Sequence, residues 1–218
     1  MTQNSSTDFE ALIDGLANDL DPVGQQRQPR GVTYAVGAWV MGAGALLLAI
    51  GLRADWGPGM FDPSALLQIF WSASLGVVAL WFAVRMAMPG VGRDHSGWRW
   101  ATAVASIVPL AAIVSLIAAP SQRWPATDPA NGVDCLWQGL LAGSAVAAML
   151  VLWLRQGAPS SPERAGLVTG IAAGATGVTV VALHCPLDAL MHVGIWHGAS
   201  IFVAALVGRF VLPPLLRW

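Results

Sequence analysis

Six long segments without a charged residue constrain this chain more than any other feature. Each holds 18 to 21 consecutive residues free of Asp, Glu, Lys and Arg. A helix needs roughly 20 apolar residues to cross the hydrocarbon core of a bilayer, where the backbone must satisfy its own hydrogen bonds. The sequence therefore predicts six transmembrane helices, in the segments Val32–Leu52, Ala65–Val84, Ala101–Ala119, Leu136–Leu154, Gly166–Leu183 and Ala189–Gly208.

The composition agrees with this prediction and excludes several soluble classes of protein. Only 11% of the 218 residues are charged and 56% are hydrophobic, whereas about 25% charged residues is usual in soluble domains. An ordinary soluble enzyme, a nucleic-acid-binding domain and a disordered chain are excluded. We predict an all-α integral membrane protein, a six-transmembrane-helix bundle (residues 32–218) preceded by a short cytosolic amphipathic helix and tether (residues 1–31).

Arginine is distributed unevenly between the two sides of the predicted bundle. With six spans both termini lie on one side, and only Arg53 and Arg123 lie on the other. Cytoplasmic segments of membrane proteins carry the excess of basic residues, so we expect cytoplasmic termini. The side with both termini receives Arg27, Arg30, Arg85, Arg93, Arg99, Arg155, Arg164, Arg209 and Arg217.

The N-terminal extension predicts an amphipathic helix that binds a partner. Thr7 and Glu10 fit a capping box, and Asp21-Pro22 is a natural helix end. An apolar stripe on this helix needs a surface, which a cytosolic protein, the bundle or the membrane would supply. Membrane-surface helices are usually rich in Lys and Arg, and this helix is acidic, so a protein partner is favoured. The stripe comprises Phe9, Leu12, Ile13, Leu16 and Leu20; Val23–Gly31 reads as a flexible tether.

Both cysteines and three of the four histidines lie on the side opposite the termini. Cys135 precedes the fourth span, and His184-Cys185 follows the fifth. Thiolates and imidazoles suit soft metals such as zinc, cadmium or copper, and an oxidising compartment would permit a Cys135–Cys185 disulfide. The spacing matches no standard zinc motif. We predict a sensing site formed by Cys135, Cys185, His184 and His192, while packing roles for the cysteines stay open.

The sixth span carries His192 and His197. An α-helix places His192 and Trp196 on one face, because they are four residues apart, and turns His197 about 100° away from Trp196. A structural role for His192 and His197, each hydrogen-bonded to a neighbouring helix, also stays open.

Two motifs carry a resemblance to a known family. They are Leu-Ile-x-x-Leu-Ala-x-Asp-Leu-x-Pro-Val, from Leu12 to Val23, and Leu-His-Cys-Pro, from Leu183 to Pro186, followed by Trp196-His197. With these motifs, a single cysteine before the fourth span and six short spans, the chain resembles the NrsF-like bacterial inner-membrane anti-sigma factors.

The resemblance implies a regulatory function that depends on a protein partner. Such proteins hold a sigma factor of the extracytoplasmic-function (ECF) class at the membrane until a metal or oxidant stress releases it. By resemblance Cys135 and Cys185 are the sensing cysteines, and His184 and His197 also match. The segment that would face the sigma factor includes Leu12, Ile13, Leu16, Pro22 and Val23.

Two other functions compete with this interpretation. A membrane thiol-disulfide oxidoreductase would fit the outward-facing cysteines, but the sequence has no Cys-x-x-Cys and only two cysteines. A metal- or haem-binding or transport protein would use the histidines, but the span cores lack the carboxylates usual in transporters. We therefore expect no enzymatic activity, no required cofactor and no direct contact with nucleic acid; membrane lipid surrounds the bundle, and the oligomeric state is left open.

Overall fold

The computed structural model describes residues 4–20, 26–54, 56, 62–88, 96–118, 121, 128–157 and 159–217. Regular secondary structure in these ranges is helical throughout. Helices α2 to α7 are long and apolar enough to cross a membrane, which confirms the predicted six-helix architecture. The helices are α1 (Asn4–Asn18), α2 (Gln28–Ile50), α3 (Pro63–Met86), α4 (Gly97–Ala118), α5 (Pro129–Arg155), α6 (Pro162–Ala182), α7 (Leu190–Phe210) and α8 (Pro213–Leu216).

Local capping chemistry extends most of these helices beyond the charge-free segments. Helices α2, α3, α5 and α6 carry proline in the first turn, where its missing N–H costs nothing. The Asp62 carboxylate accepts a hydrogen bond from the Ser64 amide (2.8 Å), and Asp128 accepts one from the Ala130 amide (3.0 Å). Both aspartates therefore act as N-caps. Gly51, with φ of +82°, ends α2.

Helix α6 lies at the centre of the bundle and packs against α3, α5 and α7. Glycine makes this packing close. A Cβ atom on Gly170 would overlap the Ala204 carbonyl of α7, and one on Gly177 would overlap the Gly139 carbonyl of α5. The glycine-rich composition that looks unfavourable for an isolated helix is thus what allows α6 to be surrounded by its neighbours.

Helix α2 lies at the periphery, on one side of α5. In its most apolar stretch of 18 residues only 6% of the residues are buried, whereas the share in the corresponding stretch of α6 is 94%. The buried residues of α2 are Gly31 and Ala35. Large apolar side chains, Met41 and Leu48 among them, point away from the protein. An outward-facing apolar surface of this kind is typical of a multi-pass membrane protein.

The structure corrects the predicted start of the N-terminal helix. Helix α1 begins at Asn4, so Thr7 lies inside the helix and the prediction of Thr7 as its N-cap is wrong. The preceding Asn4-Ser5-Ser6 residues are themselves compatible with a first helical turn, which extends the helix upstream. The stripe residues are all exposed, and Leu20, the most exposed at 75%, lies beyond the end of α1 at Asn18, so the helix carries only the other four. Pro22 and Val23 lie outside the described residues.

The predicted flexible tether is shorter than Val23–Gly31. Helix α2 already begins at Gln28, with Pro29 in its first turn. The Gln26 side chain donates a hydrogen bond from Nε2 to the carbonyl oxygen of Trp153 (3.1 Å), and the Trp153 indole donates to the Val84 carbonyl (3.2 Å). Residues 26–31 are therefore attached to the ends of α3 and α5, because proline and glutamine here serve as helix start and anchor.

Candidate functional site

The predicted site residues lie at one end of the bundle. We call this the thiol end; it comprises residues 51–53, the first turns of α5 and residues 183–197. The opposite end, where α2 begins and α7 ends, we call the terminal end. Helix α2 runs from one end to the other and has 23 residues, so the two ends are about 35 Å apart at 1.5 Å per residue.

Two cysteines and two histidines form a buried group at the thiol end, which we call the cysteine–histidine cluster. It consists of Cys135, Cys185, His192 and His197, and one candidate ligand atom from each lies within 4.8 Å of the others. The two sulfur atoms are 3.5 Å apart, and Cys185 Sγ lies 3.7 Å from His192 Nε2. The histidine rings meet edge to face, with centroids 5.4 Å apart.

A π-helical turn in α7 brings the two histidines together. Residues Val193–His197 are π-helical, so hydrogen bonds there join residues five apart. In an α-helix residues five apart point about 140° away from each other, whereas the π-turn aligns His192 with His197. The prediction of His192 and His197 on different faces is therefore wrong, because it rests on α-helical geometry throughout this span.

Close packing holds the π-turn in place. A Cβ on Gly194 would overlap Ala112 of α4, and one on Gly198 would come within 2.9 Å of the Pro109 ring. On the other side, the Trp196 ring occupies the space where Gly132 of α5 has no side chain. The turn is therefore fitted between α4 and α5 at positions where these glycines leave room.

Gln68 of α3 contacts the cluster, and the sequence did not predict this contact. Its side-chain amide hydrogen-bonds Nδ1 of His197, and both side chains are buried. Nε2 of His197 has no hydrogen-bond partner among the described residues. Gln68 precedes His197 by 129 positions, so no local motif signals the contact; a lone amide inside an apolar span was the available clue.

The structure does not bring His184 into the cluster. Its Nδ1–H donates to the Gly51 carbonyl oxygen at 2.9 Å, which satisfies the end of α2. Of the four residues predicted for the site, Cys135, Cys185 and His192 therefore lie together, and His197 occupies the place expected for His184.

A buried ion pair fixes the loop that carries Cys185. The Arg53 guanidinium donates two hydrogen bonds to the Asp188 carboxylate, at 2.8 and 2.9 Å, and the Arg53 amide donates to the Leu183 carbonyl. Such bidentate pairs fix geometry as well as charge. The loop is thereby attached to the end of α2. In the sequence Arg53 counted only as one of two arginines on this side, so its role went unrecognised.

The cluster distinguishes its two thiols. The Cys135 thiol donates a hydrogen bond to Cys185 Sγ, and this bond lowers the pKa of Cys185, with smaller contributions from His192 and His197 and with burial acting in the opposite direction. The thiolate is the form of cysteine that binds metals and reacts with oxidants. Cys185 is therefore the one of the two with the greater thiolate character.

Together these features define an all-helical protein with six helices long and apolar enough to cross a membrane, a buried cysteine–histidine cluster at one end of the bundle and an exposed amphipathic helix that precedes α2 in sequence. Residues 16–218 match the model of the NrsF family, described as negative regulator of sigma F. The chain belongs to this family of anti-sigma factors. The match covers nearly all of the chain and begins inside α1, at the fourth residue of the stripe. The family points to a regulatory role and not to an enzymatic one.

Two named relatives agree with this assignment. The chain is 28% identical over 213 residues to the anti-sigma-F factor NrsF of Caulobacter vibrioides (strain NA1000 / CB15N), covering 95% of this chain and 98% of that protein. It is 25% identical over 210 residues to the probable anti-sigma-F factor NrsF of Azospira oryzae (strain ATCC BAA-33 / DSM 13638 / PS), covering 96% of this chain and 99% of that protein. No solved structure matches the chain.

Proposed function

We propose that this chain is a membrane-embedded anti-sigma factor of the bacterial inner membrane. Its cytoplasmic N-terminal segment sequesters an ECF sigma factor, and a metal or oxidant in the periplasm, acting at Cys135 and Cys185, releases the sigma factor. Family membership supports the class of partner. The arginine excess at the terminal end supports cytoplasmic termini.

The exposed stripe on α1 is the observation that carries this proposal. Phe9, Leu12 and Leu16 are each more than half exposed, so the helix does not bury its apolar side under its own bundle. A 15-residue helix is marginal in water unless its apolar face packs against something. An amphipathic helix of this kind fits an apolar groove on a partner protein.

The charge of α1 favours a protein over the membrane surface. Its last three turns carry Glu10 and Asp14 and no basic residue, and anionic lipid headgroups repel such a helix. A partner with basic residues around an apolar groove would complement it.

The cysteine–histidine cluster supports the signalling half of the proposal. It draws its residues from α5, from the 183–189 loop and from α7, so a change in the bonding of the two sulfurs alters three elements at once. The loop is joined by the Arg53–Asp188 ion pair to α2, and α2 is the helix that continues toward α1. A stress that oxidises or metallates the thiols therefore changes the contacts at the end of α2, the helix that follows the sigma-binding segment in sequence.

A paired substitution on α1 tests the partner. Leu16→Glu places a charge in the stripe, whereas Ala11→Glu places the same charge on the opposite face, about 140° away at 100° per residue. The tagged full-length chains are expressed in the native host and purified in mild detergent, and captured proteins are identified by mass spectrometry. We expect an ECF sigma factor with the intact chain and with Ala11→Glu, and its loss with Leu16→Glu.

Equal capture by both variants, or capture of no sigma factor by the intact chain, would contradict the proposal. The signal is tested on the same complexes, by exposing cells to Cd²⁺ or to a thiol oxidant before purification. We expect release from the intact chain and retention by the Cys135→Ser chain; release from both would remove the cysteines from the mechanism.

A further inference from the structure

We infer that the cysteine–histidine cluster is a closed four-coordinate site for a divalent thiophilic cation, Zn²⁺ being the resident ion, with His197 as the fourth ligand. This inference deepens the proposed function and rests on it for the biological consequence, while metal binding itself is measured on the chain alone. The ligands would be Cys135, Cys185, His192 and His197.

The spacing of the ligand atoms fits tetrahedral zinc. Zinc binds sulfur at about 2.3 Å and histidine nitrogen at about 2.0–2.1 Å. In a tetrahedron these bond lengths place two sulfurs about 3.8 Å apart, and a sulfur and a nitrogen about 3.6 Å apart. The observed separations are 3.5 Å between the sulfurs of Cys135 and Cys185, and 3.7 Å between Cys185 Sγ and His192 Nε2. The other pairs of candidate ligand atoms lie within 4.8 Å, so side-chain movements of up to about 1 Å would complete the tetrahedron.

The charge of the cluster selects a divalent ion. In the bound state both sulfurs are thiolates, the proton of the Cys135 thiol having passed to solvent, and the two thiolates with two neutral imidazoles carry a charge of −2. A divalent cation makes the buried site neutral, whereas Cu⁺ would leave a net negative charge out of water, which is costly. Because ligand deprotonation accompanies binding, affinity rises with pH.

Gln68 and His197 together supply the arrangement expected around a ligating imidazole. Nδ1 of His197 is taken by the Gln68 amide, which leaves the unpartnered Nε2 for the ion. A glutamine amide presents either a donor or an acceptor to a neighbour. The structure has the Gln68 amide nitrogen facing Nδ1, and a 180° turn of the amide would bring its oxygen there to accept from Nδ1–H. That arrangement fixes the tautomer whose Nε2 lone pair is available, as outer partners of metal-bound histidines do.

The site is closed, which indicates that the ion has a structural or signalling role and not a catalytic one. All four ligand residues are buried, and four protein ligands leave no open position of the kind that catalytic zinc keeps. Loading or unloading the ion therefore changes how α5, the 183–189 loop and α7 are joined, without any chemistry on a substrate.

Metal titration of the purified full-length chain in detergent tests the inference. Co²⁺ serves as a spectroscopic probe, since a tetrahedral centre with thiolate ligands gives intense visible bands and a thiolate-to-metal charge-transfer band. We expect saturation at one Co²⁺ per chain, displacement by one equivalent of Zn²⁺ and release of at least one proton. Absence of these bands with a folded chain would overturn the inference.

His197→Ala and His184→Ala form the matched pair. Both remove a histidine from the thiol end, but only His197 belongs to the cluster. We expect His184→Ala to bind as the intact chain does and His197→Ala to lose the tetrahedral spectrum. Gln68→Ala should keep the spectrum and weaken affinity about 10–100-fold, as outer partners of metal ligands do. The reverse ranking of the two histidine variants would overturn the site.

Folding and function are separated by measurements on the same preparations. Circular dichroism and size-exclusion profiles identify variants that no longer fold, and Zn²⁺ should raise the Tm of the intact chain and not that of Cys185→Ser. Metal binding without sigma capture would retain the site and reject the proposed function; sigma capture without metal binding would do the opposite.

Discussion

Helices α6 and α2 cross the same bundle but are held in opposite ways. Helix α6 is enclosed along its length by α3, α5 and α7, and glycines bring its backbone against theirs. Helix α2 touches the bundle on one side, and polar contacts hold its two ends, through Gln26 at the terminal end and Arg53 at the thiol end. Between them the Trp39 indole donates a hydrogen bond to the Thr176 carbonyl of α6. Both segments looked alike by hydropathy, so hydropathy alone does not tell a central helix from a peripheral one.

This difference in packing suits α6 and α2 to different roles. A central helix packed against backbone atoms has little freedom to shift, because interiors are close-packed and lack alternative arrangements. A peripheral helix with few buried residues meets less resistance to a shift when one of its polar contacts changes. In this chain the peripheral helix is the one that follows the exposed α1 in sequence and runs between the two ends of the bundle.

The largest expected effect comes from filling a glycine in each helix. Gly170→Leu puts a side chain where even a Cβ would overlap the Ala204 carbonyl, whereas Gly44→Leu meets nothing within 4 Å. Overpacking costs typically 1–3 kcal/mol and more against backbone. We expect no folded Gly170→Leu protein and normal yield of Gly44→Leu, judged by size-exclusion chromatography in detergent. Equal yields would remove the distinction between the helices.

An intermediate effect is expected from breaking the ion pair at the thiol end. Arg53→Ala leaves the Asp188 carboxylate nearly buried without its partner, a loss of about 3 kcal/mol. Arg217→Ala breaks the exposed pair with Glu163, and such pairs contribute about 0–1 kcal/mol. Thermal unfolding in detergent should show a clearly lower Tm for Arg53→Ala only. If the two variants melt together, the end of α2 is not held by Arg53.

The smallest effect is expected at the terminal end. Gln26→Ala removes the hydrogen bond to the Trp153 carbonyl, worth about 1 kcal/mol, while exposed Gln156 serves as a control through Gln156→Ala. Hydrogen exchange followed by mass spectrometry should show faster exchange in residues 26–31 for Gln26→Ala and no change for Gln156→Ala. Unchanged exchange in both would show that α2 begins stably without this anchor.

The fold was largely predictable because its strongest indication, the six apolar runs, can be identified along the sequence alone. A run of apolar residues long enough for a bilayer needs no knowledge of distant contacts, and all six such runs are helices. What the runs could not reveal is their arrangement. The central position of α6 depends on where its glycines contact Ala204 and Gly139, and those contacts exist only in the folded bundle.

The site was predictable in its residue types and not in its full membership. Cys135 and Cys185 followed from their shared depth in the predicted topology. His197 was separated from His192 because α-helical periodicity was assumed, and the π-turn breaks that periodicity. Gln68 is uncharged and lies in another span, so neither spacing nor charge could connect it to the histidines. Each omission traces to a contact between helices or to a departure from ideal geometry.

The π-turn has a consequence for how such a site is gained or lost over generations. A π-turn amounts to one residue inserted into an α-helix. Removing Ile195 would put the two histidines four residues apart, and residues four apart in a regular α-helix lie only about 40° from each other. The pair therefore survives such a deletion when the turn becomes α-helical, whereas α-helical geometry with all five positions kept turns one histidine about 140° from the other. Turn type and residue count must change together for the cluster to persist.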